Sequence, residues 1–165
     1  MIGFFSEMKL KPNRFLVVFL WLVLVCESPL VWAESLKGPE KVELLKYVVI
    51  EDSVKVALGG LIGDHKRGEQ IVQTSEGQCT LCHSIPGFTG QVGNLGPKLH
   101  GVGSRYSVSQ IRLRIINESL INPQTIMPAF YKADGLVGVD PVWQGKPILN
   151  AQQIEDVVAY LSNLK

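Results

Sequence analysis

The sequence predicts an all-α domain. Three segments with helical periodicity, each opened by a capping residue, support that prediction. So does the near absence of strand patterning after residue 60.

The C-terminal segment is the clearest of the three. Asn150 stands at its N-cap with Gln153 at N3, and Ile154, Val157, Val158 and Leu161 recur at i, i+3, i+4 and i+7. Glu155 and Asp156 near its start and Lys165 at its end suit the helix dipole. Ser107-Val108-Ser109-Gln110 is a capping-box pattern, followed by Ile111, Ile115 and Ile116 at helical spacing. Arg112 and Arg114 on that segment read as ordinary helix surface or a partner contact. Asp64 caps a third helix running to about Thr74, with Ile71 and Val72 facing inward. Gly68 in its middle costs about 1 kcal/mol against alanine, which is tolerable where another helix must approach closely. Tyr160 is a candidate to pack on that surface.

The N-terminus reads as an export signal over residues 1–33. Lys9, Lys11 and Arg14 form a positive region ahead of the apolar run Phe15 to Val25, and Val31-Trp32-Ala33 ends on a small residue. The run is shorter than the ~20 residues that span a bilayer, and Glu27 and Pro29 argue against the alternative of an uncleaved anchor. Acylation at Cys26 is disfavoured by the bulky Val25. Cleavage before Glu34 leaves about 130 residues, the size of one domain. Glu7, Glu27 and the three basic residues depart with the leader, so the mature chain is formally neutral. Nothing in it suggests a nucleic-acid or anionic-membrane surface.

Residues 34–61 form an N-terminal extension of mixed pattern, in which Tyr47-Val48-Val49-Ile50 is the only strand-like run. It either lies over the domain, serves a partner, or is a partly disordered leader. Tyr131 to Leu149, rich in Gly and Pro, is a long irregular stretch of the kind that covers or serves a site.

The chemistry lies in Cys79-Thr80-Leu81-Cys82-His83, which holds both cysteines of the mature chain. CxxC alone would fit a redox disulfide or half a zinc site, but CxxCH reads as c-type haem attachment. Two thiols on one helical turn add across the two haem vinyl groups, and the adjacent histidine is thereby aimed at the iron. Zinc would need about four ligands, and only His65 and His100 remain to supply them. A redox disulfide would want a preceding strand, which residues 70–78 do not offer.

A low-spin haem needs a second axial donor. Met127 is the one methionine outside the leader, in a loop stiffened by Pro123 and Pro128. His100 is its competitor, and core filling is the bland role for a lone Met. His65, at a helix start, reads as solvated. An axial histidine donates its other ring N–H to a second acceptor, and the Pro97 carbonyl in Gly93-Asn94-Leu95-Gly96-Pro97 is the candidate. Cys79 and Cys82 are therefore the haem attachment sites, His83 and Met127 the candidate iron ligands, and Pro97 the support of His83.

The order CxxCH, GPxLxG, Met-Pro loop and aromatic C-terminal helix resembles class I cytochromes c over residues 62–165. Met127-Pro128-Ala129-Phe130-Tyr131 and Trp143-Gln144-Gly145-Lys146-Pro147 make it similar to one branch, the SoxX-type monohaem cytochromes of sulfur oxidation. The resemblance implies one covalent haem c with His/Met ligation, a periplasmic location, and a heterodimer with a SoxA-like cytochrome. Such a pair acts as an L-cysteine S-thiosulfotransferase, joining thiosulfate oxidatively to a cysteine on a carrier protein. In it the SoxX-type chain takes up electrons for a downstream acceptor and has no catalytic residue of its own. With both cysteines used by haem, no thiol is left here for nucleophilic work. A freestanding electron carrier and a ligand-sensing or peroxidase-like haem protein are the alternatives.

Overall fold

A computed structural model describes residues 42–165; the expected export signal over residues 1–33 and the first residues of the extension lie outside the described residues. Four α-helices form there: α1 (His65–Gln73), α2 (Val102–Arg105), α3 (Val108–Asn117) and α4 (Ala151–Asn163). Short 3-10 turns supplement them at Leu58–Gly60, Cys79–Leu81, Glu118–Leu120 and Pro141–Trp143. No β-strand occurs among the described residues, so the all-α class stands.

The caps lie where local chemistry demands them. The Asp64 carboxylate accepts from the amides of Lys66 and Arg67, each at 2.9 Å. At α3 the Ser107 hydroxyl accepts from the Gln110 amide at 3.3 Å, while the Gln110 side chain accepts from the Ser107 amide at 3.0 Å. Asn150 and Gln153 repeat that reciprocal box at α4, at 3.0 and 2.8 Å. α2 is a single turn that the sequence pattern does not announce. Gly101 opens it with φ 67°, a left-handed conformation that glycine adopts without a Cβ penalty.

The core is one apolar cluster joining α1, α3 and α4. It includes Ile71, Val72, Ile111, Leu113, Ile116, Ile154, Val157, Val158 and Leu161. Helices α1 and α4 pack most extensively, with α3 beside α4. Tyr160 is buried and its Cβ lies beside Gly68, so the expected pairing forms.

Two expectations are corrected. Tyr47 to Ile50 forms no strand and makes only an isolated bridge from Ile50 to Ser53. No neighbouring strand lies beside it among the described residues, so β propensity has nothing to act on. Arg112 is not helix surface: it is 6% exposed, and its Nε donates to Glu155 at 2.9 Å while Nη1 donates to the Val54 carbonyl at 2.8 Å. Glu155 and Asp156, near the start of α4, are both buried and paired with arginines. Glu155 also accepts from the Leu58 amide at 2.9 Å. Asp156 accepts from both Nε and Nη2 of Arg67 at 2.8 Å and from the Asp64 amide at 2.7 Å.

Residues 42–61 lie over the domain. Val54 and Leu58 are buried in the core, and the Val54 amide donates to the Ser109 carbonyl. Among the described residues, no helix is long and apolar enough to cross a membrane.

Candidate haem site

After α1 the chain turns through Gln78, whose φ of 55° is left-handed, into the 3-10 turn Cys79–Leu81. The amides of Cys82 and His83 both donate to the Cys79 carbonyl, at 3.2 and 2.9 Å. One turn thus places Cys79, Cys82 and His83 along the wall of a single cavity of about 1230 Å3. Pockets for ordinary small ligands run to about 300–1,000 Å3, so the cavity is large for a domain of this size.

Residues 93–99 run beside that turn and are tied to it by three amide donors. Gly93 donates to Thr80, Gly96 to Cys82 and Leu99 to Ser84, each at 2.9 Å. A Cβ at Gly96 would overlap the His83 ring, so only glycine lets the loop come this close. The loop delivers the Pro97 carbonyl to 2.6 Å from His83 Nδ1. A carbonyl can only accept, so Nδ1 carries the proton and Nε2 keeps the free lone pair that a metal requires. Arg105 braces the same loop by donating to the carbonyls of Lys98, at 2.8 Å, and His100.

Met127 lines the same cavity as Cys79, Cys82, His83 and Pro97. Its loop is set by short-range bonds: the Gln124 amide donates to the Asn122 side chain at 3.1 Å, and the Met127 amide donates to the Thr125 hydroxyl at 3.1 Å. His100 is exposed, stands 3.4 Å from the Ser84 hydroxyl through Nε2, and is not among the cavity's lining residues. His65 is exposed at the start of α1.

The stretch from Tyr131 to Leu149 contributes Leu136, Val139, Trp143, Pro147 and Ile148 to the cavity, in the covering role expected of it. Burial pushes the Cys79 thiol up to about 11, with Cys82 adding to the shift. An environment so hostile to a thiolate suits a neutral thioether.

One polar corner escaped the sequence reading. The Arg114 guanidinium lies 4.1 Å over the Tyr106 ring, and its Nε is 3.9 Å from Glu118 Oε2. That oxygen is buried without a hydrogen-bond partner. Burial raises the Glu118 carboxyl above its ordinary range, with Arg114 pulling the other way. The i, i+4 spacing of Arg114 and Glu118 was the available signal.

Residues 65–165 match the family model for cytochrome c. Among solved structures, a chain of the crystal structure of SoxXA from P. pantotrophus is 38% identical. The match has a TM-score of 0.68 and covers 76% of this chain and 98% of that one. No curated protein matches significantly. The cavity, its paired cysteines and the one-proton tautomer of His83 fit a covalently bound porphyrin. The chain belongs to the cytochrome c family and is a SoxX-type monohaem electron-transfer cytochrome carrying one covalent haem c.

Proposed function

We propose that this chain is the electron-accepting subunit of an exported, periplasmic complex with a SoxA-like cytochrome, which conjugates thiosulfate to a carrier-protein cysteine. The observation that carries this reading is the 38% identity to a SoxXA chain over 98% of that chain's length.

In this reading Cys79 and Cys82 would anchor the haem by thioether bonds, and His83 and Met127 would hold its iron. Pro97 holds His83 in the tautomer with Nε2 free. The haem supplies a one-electron couple. Arg105, Arg114 and Lys146 among the cavity's lining residues suit the two propionate carboxylates of such a group. With His83 and Met127 held by the iron and both cysteines consumed, the chain would offer neither a free ligand position nor a nucleophile for sulfur chemistry. That division of labour assigns the sulfur step to the partner and electron uptake to this chain.

Leu81, Leu95, Ile126 and Trp143 are exposed at residues that also line the cavity. Such an apolar rim supports protein docking at the cavity mouth, where a second haem edge would lie close enough for electron transfer. The downstream acceptor would approach the same edge in turn.

The test is reconstitution. The isolated holoprotein should be redox-active yet inert toward thiosulfate and a carrier thiol, and adding a SoxA-like cytochrome should restore conjugation while this haem becomes reduced. Lys98→Glu should slow association in a salt-dependent way. No affinity for such a partner, together with thiosulfate oxidation that survives deletion of the chain, would assign it to the freestanding carriers.

A further inference from the structure

We propose that residues 42–47 act as a latch holding the Met127 loop and the covering loop over the haem cavity, with Tyr131 as the catch. The inference rests on the assignment of Met127 as the distal iron ligand.

Tyr131 lies four residues beyond Met127, and the root of the Met127 loop is fastened there. The Tyr131 amide donates to the Ile116 carbonyl at 3.2 Å, and the Phe130 carbonyl accepts from the Leu149 amide at 3.0 Å. Phe130 and Tyr131 are both buried, and Phe130 lines the cavity. Beyond its place in the core, Tyr131 is met by the N-terminal segment, more than 80 residues away in sequence: the Leu45 amide donates to the Tyr131 hydroxyl at 2.8 Å. The rings of Tyr47 and Tyr131 meet in a tilted pair with centroids 6.4 Å apart.

The same segment reaches the far end of the covering loop, where the Val42 amide donates to the Gly145 carbonyl at 3.1 Å. Residues 42–47 therefore bridge both ends of the stretch from Tyr131 to Gly145, which closes over the cavity. Their own anchorage is separate and stronger. Val54 and Leu58 are buried in the core and held by Arg112 and Glu155. Loss of the latch contacts leaves that anchorage intact, so the latch can loosen while the helical core persists.

A thioether binds iron weakly, so a small loss of loop restraint should favour exogenous ligands that compete with it. Removing one hydrogen bond of ordinary net strength corresponds to a change of about threefold to tenfold in an equilibrium constant. The test uses the ferric holoprotein and imidazole, whose binding shifts the Soret band. Tyr131→Phe keeps the ring but removes the acceptor for the Leu45 amide. Tyr47→Ala removes the ring pair. Ile154→Val, a core substitution in α4 at a residue that does not line the cavity and makes none of the latch hydrogen bonds, serves as the variant that lowers stability alone.

We expect Tyr131→Phe and Tyr47→Ala each to bind imidazole about threefold to tenfold more tightly and to weaken the near-infrared band of Met–iron ligation. Ile154→Val should leave both readouts at the parent level. Unchanged imidazole affinity in the two latch variants overturns the latch, as does an equal gain in Ile154→Val. If the near-infrared band survives in Met127→Ala, the ligand assignment falls and the latch with it. Loss of that band with unchanged imidazole affinity in Tyr131→Phe overturns the latch alone.

Discussion

Gly68 of α1 lies directly against the backbone carbonyl of Asp156 in α4, where a Cβ would overlap that carbonyl and crowd the Tyr160 Cβ. The two helices cross backbone to backbone at this point. Gly68→Ala removes the intrinsic helix penalty of glycine, worth about 1 kcal/mol, yet forces the helices apart. Overpacking of this kind costs about 1–3 kcal/mol or more, so we expect net destabilisation, read as a lower denaturant midpoint of helical circular dichroism.

Arg112 and Glu155 form a buried pair that also satisfies the Val54 carbonyl and the Leu58 amide. Removing one partner of such a pair costs about 3–5 kcal/mol, because the other charge is left buried and unpaired. Arg112→Ala should therefore lower the denaturation midpoint sharply. Arg112→Met combined with Glu155→Gln should cost less than Arg112→Ala alone, and the double substitution measured by equilibrium unfolding checks this.

Asp156 carries a pH prediction. Burial alone would raise its carboxyl, but the Arg67 fork, the Asp64 amide and the Gln152 side chain together hold it below the ordinary range. A carboxyl depressed in the folded state stabilises fully above its unfolded value, near pH 3.9, and loses that contribution as pH falls through the folded value. Asp156→Asn should be less stable than the parent at pH 7, and the gap should close below about pH 4. Thermal melts across pH 2.5–7 would show it; a gap constant with pH would refute it.

The haem assignments are tested by substitution in the holoprotein. Cys79→Ala and Cys82→Ala should each leave at most one thioether, visible as a shifted α band in the reduced pyridine adduct, and the double variant should lose haem in acid acetone. Met127→Ala should abolish the near-infrared Met–iron band and lower the reduction potential, since His/Met ligation raises it. If Met127→Ala leaves the spectrum unchanged, the distal ligand must be sought elsewhere, with His100 the first alternative.

Some of this was legible in the sequence because it is local. A cap is decided by residues within one turn, so Asp64, Ser107 with Gln110, and Asn150 with Gln153 could be read directly and are seen in place. CxxCH is legible for the same reason, since its five residues share one turn. Gly68 and Tyr160 could be paired from pattern alone, because a mid-helix glycine and an aromatic on an apolar stripe each point to a close helix crossing.

Arg112, Glu155, Asp156 and the N-terminal segment were not legible, because a charged residue on a helix reads as solvent-facing until its partner is known. The Arg112–Glu155 bond spans 43 residues and the Arg67–Asp156 bond 89. No local pattern announces such pairings, and only the packing of α1, α3 and α4 makes burial of these charges tolerable by bringing opposite charges and amides together. The sequence by itself determined the three capped helices α1, α3 and α4 and the tight turn of the CxxCH segment, whose causes lie within a few residues. The tertiary structure decided which charges are buried and where residues 42–61 lie, because burial depends on neighbours that only folding supplies.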